Sequence, residues 1–318
     1  MSVTLHNPDW SLGEELPDLL IAKLSHLGVI AAEGQQASSF LHGQVTADVA
    51  GLLQGNWVWG AHCDPKGKML ASFRLLQANE QYLMLMPKST VAVDLPQLQK
   101  YAVFSQVTLN DASNQWVLIG VAGDKAEAFI SERFGEITEK VTKIESGVLI
   151  KDNSRYIVLI SSEVASKLFV DQTIYESSVW QALEIADGYP NVGANHSGEY
   201  VPQMCNLQAL DGISFTKGCY MGQETVARMK YRGGLKRALY ILKGSVSTQL
   251  NKDAFLEIEL ENGFRKAGNI IEYVQRGNDV QLTAVLANDT ELDATFRVAG
   301  DLESKLVLIP LPYSLTEE

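Results

Sequence analysis

The spacing of apolar residues changes period several times along this chain, and each change predicts an element. Residues 20–31 alternate loosely and lead to Gly34, after which Gln36–Leu41 predicts a short helix closed by Gly43. From Asn56 the period falls to two, which predicts strands at Asn56–Cys63, Lys68–Gln77 and Tyr82–Met86, the last ended by Pro87. Between the first two, Asp64-Pro65-Lys66-Gly67 has the composition of a type I turn, and Asn79-Glu80 offers another turn. Val91, Leu95, Leu98 and Tyr101 return at helical spacing. Strands are then expected at Phe104–Leu109, Trp116–Val121, Val148–Ile150 and Tyr156–Ile160, with a helix over Lys125–Phe134. Ser178–Asp187 predicts a further helix, with Gly188 as its C-cap and Pro190 as a stop. This order of strands and helices suits ferredoxin-like α+β units.

From about Lys236 the pattern becomes purely β. Ala238–Leu242, Phe255–Leu260, Ala267–Tyr273, Asp279–Leu286, Thr295–Val298 and Leu306–Ile309 are short and separated by turns, with Asn262-Gly263 and Gly277-Asn278 as hairpin signals. Short strands at this density predict a small β-barrel over 236–318, behind an α+β region over 1–235.

Composition narrows the class. No apolar run reaches the ~20 residues of a membrane span, and Met1–Trp10 lacks the pattern of a signal peptide. Cys63, Cys205 and Cys219 are too few and too scattered for a disulfide framework, so the cytoplasm is the expected compartment. No pair of cysteines has metal-ligand spacing, and no metal site is expected. A formal charge of −12 opposes broad, charge-driven binding of nucleic acid. Any link to RNA is therefore expected to be indirect, or confined to the one basic segment. Nothing in the pattern demands a dimer, and a monomer is expected.

That basic segment surrounds the most reactive-looking residue. In Lys217-Gly218-Cys219-Tyr220-Met221-Gly222-Gln223-Glu224 a cysteine lies between glycines and beside a lysine, in an expected turn. Glycines permit unusual backbone angles and close approach of another group, and nearby cations favour thiolates over thiols. Basic residues continue at Arg228, Lys230, Arg232, Lys236 and Arg237, opposed only by Glu224. Lys217 and Arg228 are candidates for electrostatic support of Cys219. Gln223 and Glu224 either cap a following helix or bond toward the cysteine or a ligand. Elsewhere, Cys63 reads as a core thiol, and Trp57 and Trp59 as core residues of one strand face. Asp64 reads as a turn residue or a pocket carboxylate, and Trp180 as a core residue or a flat wall for a ring.

The octet, followed by Thr225-Val226-Ala227-Arg228, resembles the K-G-C-[FY]-x-G-Q-E signature of the YgfZ family. The resemblance extends through Gly43–Asp48, His62–Lys68, Pro202-Gln203, Asn206–Leu210, Gly212–Phe215 and Pro310–Leu315, nearly the whole chain. It implies a fold similar to the T-protein of the glycine cleavage system and binding of tetrahydrofolate or a derivative. It also implies a role as an accessory protein, rather than a catalyst, that maintains iron–sulfur enzymes, including some that modify tRNA. On this resemblance Cys219 is the functional thiol, and Trp180 and Leu27 are the folate-binding positions. The family often has tryptophan where this chain has Leu27. Its Glu-Ala-Gly is here Ala186-Asp187-Gly188, which turns the acid by about 100° around a helix. Two rival readings stand beside this one, a folate-dependent one-carbon transferase and a ligand-free interaction scaffold.

Overall fold

The computed structural model describes residues 4–145 and 147–315. The first residues of the amino-terminal stretch and residues 316–318 of the predicted barrel region lie outside them. Helices are α1 (Ala37–Gln44), α2 (Lys88–Ala102), α3 (Ala126–Phe134), α4 (Ser162–Leu168), α5 (Ser177–Ala186) and α6 (Gln223–Tyr231). A five-stranded antiparallel sheet runs Trp57–Cys63, Met69–Ala78, Gln81–Pro87, Leu27–Glu33, Thr108–Asp111. A seven-stranded mixed sheet runs Leu5–His6, Ile174–Tyr175, Leu20–Lys23, Val117–Ala122, Arg155–Ile160, Gly147–Asp152, Val141–Ile144. The predicted mixed α+β architecture is present.

Alternation along the strands explains how these layers stack. Val29, Ala31, Leu83 and Leu85 point to one side of the first sheet, where they meet Leu118, Ile157, Leu159 and Trp180. The intervening Ile30, Ala32, Met84 and Met86 point the other way, against α1 and α2. Val158 and Ile160 of the second sheet likewise turn from Ile157 and Leu159 to meet α3 and α4. The cluster between the sheets is thus shared, with α5 at its edge. This period-two burial is what fixes register, since a slip of one residue would exchange the two faces.

The carboxy-terminal strands close a barrel in the order Arg237–Ser245, Asp279–Ala287, Gly263–Arg276, Phe255–Leu260, Thr295–Val298, Lys305–Ile309. Closure removes exposed sheet edges. Ile185 of α5 packs on Ile241 and Val274, which seats the barrel against the rest of the molecule. Asn206 joins them as a strand neighbour would: its Nδ2 donates to Leu239 O at 2.8 Å and its Oδ1 accepts from Leu239 N at 3.1 Å.

Three sequence expectations need correction. α1 runs through Gly43 to Gln44 instead of stopping at the glycine. The strand expected from Phe104 begins at Thr108, and Phe104 is 98% exposed. Val103-Phe104 has strand propensity but finds no partner strand, and propensity without packing decides little. α6 starts from Gly222 with no side-chain cap bond, so the capping reading of Gln223 and Glu224, one of two left open, is not met.

Candidate functional site

Two constellations stand out, one buried at the centre and one on a surface loop. The central one is organised by Arg74, which enters the core from the strand Met69–Ala78 and is 1% exposed. Its Nη2 donates to Glu184 Oε1 at 2.7 Å and to Asp152 Oδ2 at 3.1 Å. Its guanidinium lies 4.6 Å from the Trp59 ring centroid, 5.0 Å from that of Tyr189 and 5.6 Å from that of Trp57. The two tryptophans predicted as core therefore also box a cation. Burial disfavours the charge on Arg74, but Glu184 and Asp152 outweigh it and raise the pKa. Burial likewise pushes the Glu184 carboxyl up, and Arg74 with His26 holds it well below the usual carboxylate range. Tyr189 Oη donates to Asp152 Oδ1 at 2.8 Å, and Asn191 Nδ2 donates to Glu184 Oε2 at 2.8 Å.

Asn191 also donates to Glu272 Oε2 at 3.1 Å, and Gln181 donates to Oε1 at 3.1 Å. Glu272 comes from the barrel, at a break in register after Ile270. Among the described residues no ion pair is formed with it, and Arg74 acts on it only through space. Burial and the nearby Glu184 charge push its carboxyl up to about 8.

Trp180 and Leu27, the folate positions implied by the resemblance, fall in the same inter-sheet cluster. Neither presents an open face: Trp180 is 0% exposed and Leu27 4%. Gly120 packs flat against the Trp180 ring, so closely that a Cβ there would overlap it. Over the ring, 5.1 Å from its centroid, sits the Arg155 guanidinium, which is ion-paired to Asp187. Burial pushes the Asp187 carboxyl up, partly countered by Arg155. Beside this pair opens a cavity of about 640 Å³, lined among others by Lys151, Arg155, Tyr156, Leu183, Ala186 and Asp187. Trp180 Nε1 is buried without an acceptor.

α5 and its exit loop supply most of these groups. Tyr189 N bonds Glu184 O at 3.1 Å and Gly188 N bonds Ile185 O at 3.0 Å, a Schellman ending with Gly188 at φ 64° as the predicted cap. The helix thereby releases Tyr189 and Asn191 back toward Arg74.

On the surface, Cys219 is exposed while Cys63 and Cys205 are buried. Burial raises both buried thiols far above their ordinary range, consistent with core roles. Of the flanking glycines only Gly222 has a conformational reason: φ is 79°, and a Cβ would lie 2.7 Å from Asp64 O and 2.8 Å from Gly67 Cα. Gly218 has neither a positive φ nor a close neighbour.

Lys217 has a different task from the one expected of it. Its Nζ donates to the carbonyls of His42 at 2.6 Å, Val45 at 2.8 Å and Ala47 at 2.6 Å. The charge is directed at the end of α1 and the following loop, and it ties the cysteine loop to them. Burial lowers the Lys217 pKa to about 8. Arg228 is exposed on α6, and Asp64 is a turn residue whose Oδ1 accepts from Lys66 N at 2.9 Å and Lys68 N at 2.8 Å. Among the described residues no group of three or more His, Cys, Asp or Glu could hold a metal ion, and no helix is long and apolar enough to cross a membrane.

Comparison with known proteins fits this architecture. Residues 18–147 match the GCVT N-terminal domain, and residues 235–301 match the YgfZ beta-barrel domain. The tRNA-modifying protein YgfZ of Colwellia psychrerythraea is 38% identical over 318 residues, covering 96% of each chain. The protein of the same name from Vibrio atlanticus is 39% identical over 311 residues, covering 96% of this chain and 95% of that one. The chain belongs to the YgfZ family. Glycine cleavage system aminomethyltransferase T from Bartonella henselae shares the fold, with a TM-score of 0.64 at 15% identity over 93% of this chain and 86% of that chain. The T-protein-like fold expected of a YgfZ member is therefore present, including its closed barrel.

Sequence reasoning singled out Cys219, Trp180 and Leu27 but neither Arg74 nor Glu184 nor Arg155. A signal existed for Arg74: a cation between Phe73 and Leu75 in an otherwise apolar strand needs a buried counter-charge.

Proposed function

We propose that this chain is a folate-binding accessory protein of tRNA modification that presents Cys219 to iron–sulfur enzymes, acting in the cytoplasm as a monomer. The name tRNA-modifying protein carried by its relatives and the GCVT domain match support the role. The observation that carries the site is the contrast among the cysteines: one exposed thiol on a loop stapled by Lys217, and two sealed in the core.

A reduced folate needs a flat wall, a polar edge partner and cations for its glutamyl carboxylates. Residues lining the cavity meet two of these needs, the Asp187 carboxyl and Arg155 with Lys151, and the flat wall, the Trp180 ring with its unpartnered Nε1, lies behind Arg155. Leu27 adds apolar surface with less stacking than a tryptophan would give. When bound, the folate supplies a carrier for a one-carbon unit. Arg155 now covers the Trp180 ring, so a stacked ligand requires this guanidinium to leave the indole and its Asp187 partner. Arg155 is thus placed to exchange one partner for another, from a protein carboxylate to a ligand carboxylate.

The test is a titration of the purified protein with tetrahydrofolate, followed by tryptophan fluorescence. Saturable binding in the micromolar range is expected, weakened by at least about tenfold in Trp180→Ala through loss of the stacking face. Absence of saturation in the wild type would remove folate from the reading and leave the scaffold alternative. In cells, Cys219→Ser should abolish support of tRNA modification while leaving the titration unchanged. Full activity of that variant would assign the thiol no function.

A further inference from the structure

Around α6 the fold gathers exposed cations from distant segments of this acidic molecule, with Asp289 the exposed acid beside Lys236. Lys66 is exposed on the turn after Cys63. Gly67 of that turn abuts the start of α6, where an added Cβ would lie 2.7 Å from Thr225 Cβ and 2.9 Å from Gly222 O. α6 buries Val226 and leaves Arg228 and Tyr231 outside, and the chain continues exposed through Arg232, Gly233, Gly234, Lys236 and Arg237. Lys66, Arg228, Arg232, Lys236 and Arg237 are all exposed cations, and Glu224 is the exposed acid on the same helix. Asp64 turns its Oδ1 inward to its own turn.

Aromatic surface is interleaved with these charges. Tyr231 is 68% exposed and stands edge-on to Phe215, with ring centroids 6.4 Å apart. Lys230 Nζ lies 4.1 Å from the Phe215 centroid. Gly233 and Gly234 have φ of 69° and 102°, and nothing lies within 4 Å of where their Cβ atoms would be, so the backbone between the cations is open to close approach.

We propose that this face binds folded RNA directly, with the phosphate backbone across Arg228, Arg232, Lys236, Arg237 and Lys66 and an unpaired base against Tyr231. Cations alone would suit any acidic partner. Arginines beside an exposed ring favour nucleic acid, because a ring offers stacking to a base and a guanidinium offers paired donors to phosphate. The inference rests on the proposed role in tRNA modification for the choice of tRNA as the RNA. It places the bound RNA next to Cys219, and it confines RNA contact to the basic residues of 228–237 and the neighbouring Lys66 turn.

The experiment is fluorescence anisotropy of a fluorescein-labelled, unmodified tRNA transcript titrated with the full chain, at about 50 and about 200 mM salt. Saturable binding at the lower salt is expected, with a steep loss at the higher. Arg232→Glu with Lys236→Glu should weaken binding by at least about tenfold and flatten the salt slope by about two contacts, since each neutralised phosphate contributes just under one unit to it. Lys143→Glu, on the far sheet edge, should leave binding unchanged. Tyr231→Ala should weaken binding with the salt slope intact, the mark of a stacking contact. No binding at low salt, equal loss in Lys143→Glu, or competition by polyglutamate as effective as by unlabelled transcript would each overturn the proposal, the last in favour of an acidic protein partner. Unfolding temperature monitors the fold of each variant. No folate is present in these titrations, so failure here leaves the tetrahydrofolate titration standing, and failure there leaves this one standing.

Discussion

Arg74 is fully buried and Lys217 half-buried, and the protein compensates the two cations in opposite ways. Arg74 faces two carboxylates, and its charge is reinforced. Lys217 bonds three carbonyls, and burial, only partly countered by Asp48, brings its pKa down to about 8. Full counter-charges lock a cation into its ionised form, whereas dipoles hold it in place and leave it titratable. Glu272 is the anionic counterpart of Lys217: two amide donors fix it, and burial with the nearby Glu184 charge raises its pKa to about 8.

The largest effect should come from breaking the fully charged node. Arg74→Met strands Glu184 and Asp152 in the core and should cost about 3–5 kcal/mol by chemical denaturation. Adding Glu184→Gln and Asp152→Asn should recover much of that loss. If the single variant is near neutral, the node is not a buried ion pair in energetic terms.

Lys217→Met should cost less, about 1–3 kcal/mol, because it leaves carbonyls rather than charges unpaired. Its signature is local. Met221 N, bonded to Gly43 O at 3.1 Å, should exchange its amide hydrogen faster, and the cysteine loop should loosen with it. Uniform acceleration across the chain would mean that the staple is not local.

The last comparison is read as a slope against pH rather than as a single loss. Glu272 titrates near 4.5 when unfolded and near 8 when folded, so between those values the folded state holds the extra proton. Stability from this group is full below pH 4.5 and is lost as pH rises toward 8. Glu272→Gln should flatten that decline, measured as unfolding temperature against pH, and should make the protein more stable than wild type near the upper end. A decline of unchanged slope would assign the titration elsewhere.

Legibility in the sequence followed the range of the interaction. Phe255–Leu260 and Thr295–Val298 match their predicted bounds because local alternation and turns specify them. Gly188 was readable as a cap for the same reason. Trp180 could be named but its surroundings could not, since Gly120 and Arg155 meet it only through sheet pairing. The Arg155–Asp187 pair joins residues 32 positions apart, and the Arg74–Glu184 pair residues 110 apart. The contacts of Lys217 were out of reach for a related reason: the acceptors of its Nζ lie some 170 residues earlier.

The two-way bond between the Asn206 side chain and Leu239 carries a consequence for dissection of the molecule. Asn206 is 0% exposed and sits at φ 59°, so its amide cannot turn to solvent without unwinding the segment that holds Cys205 in the core. Severing the chain ahead of Arg237 would strip this amide of both partners, remove Tyr313 Oη from Gly188 O, and uncover Ile185. The amino-terminal piece would be left with a raw apolar wound, which predicts clumping rather than an autonomous unit. The barrel is in this sense the missing flank of the amino-terminal region.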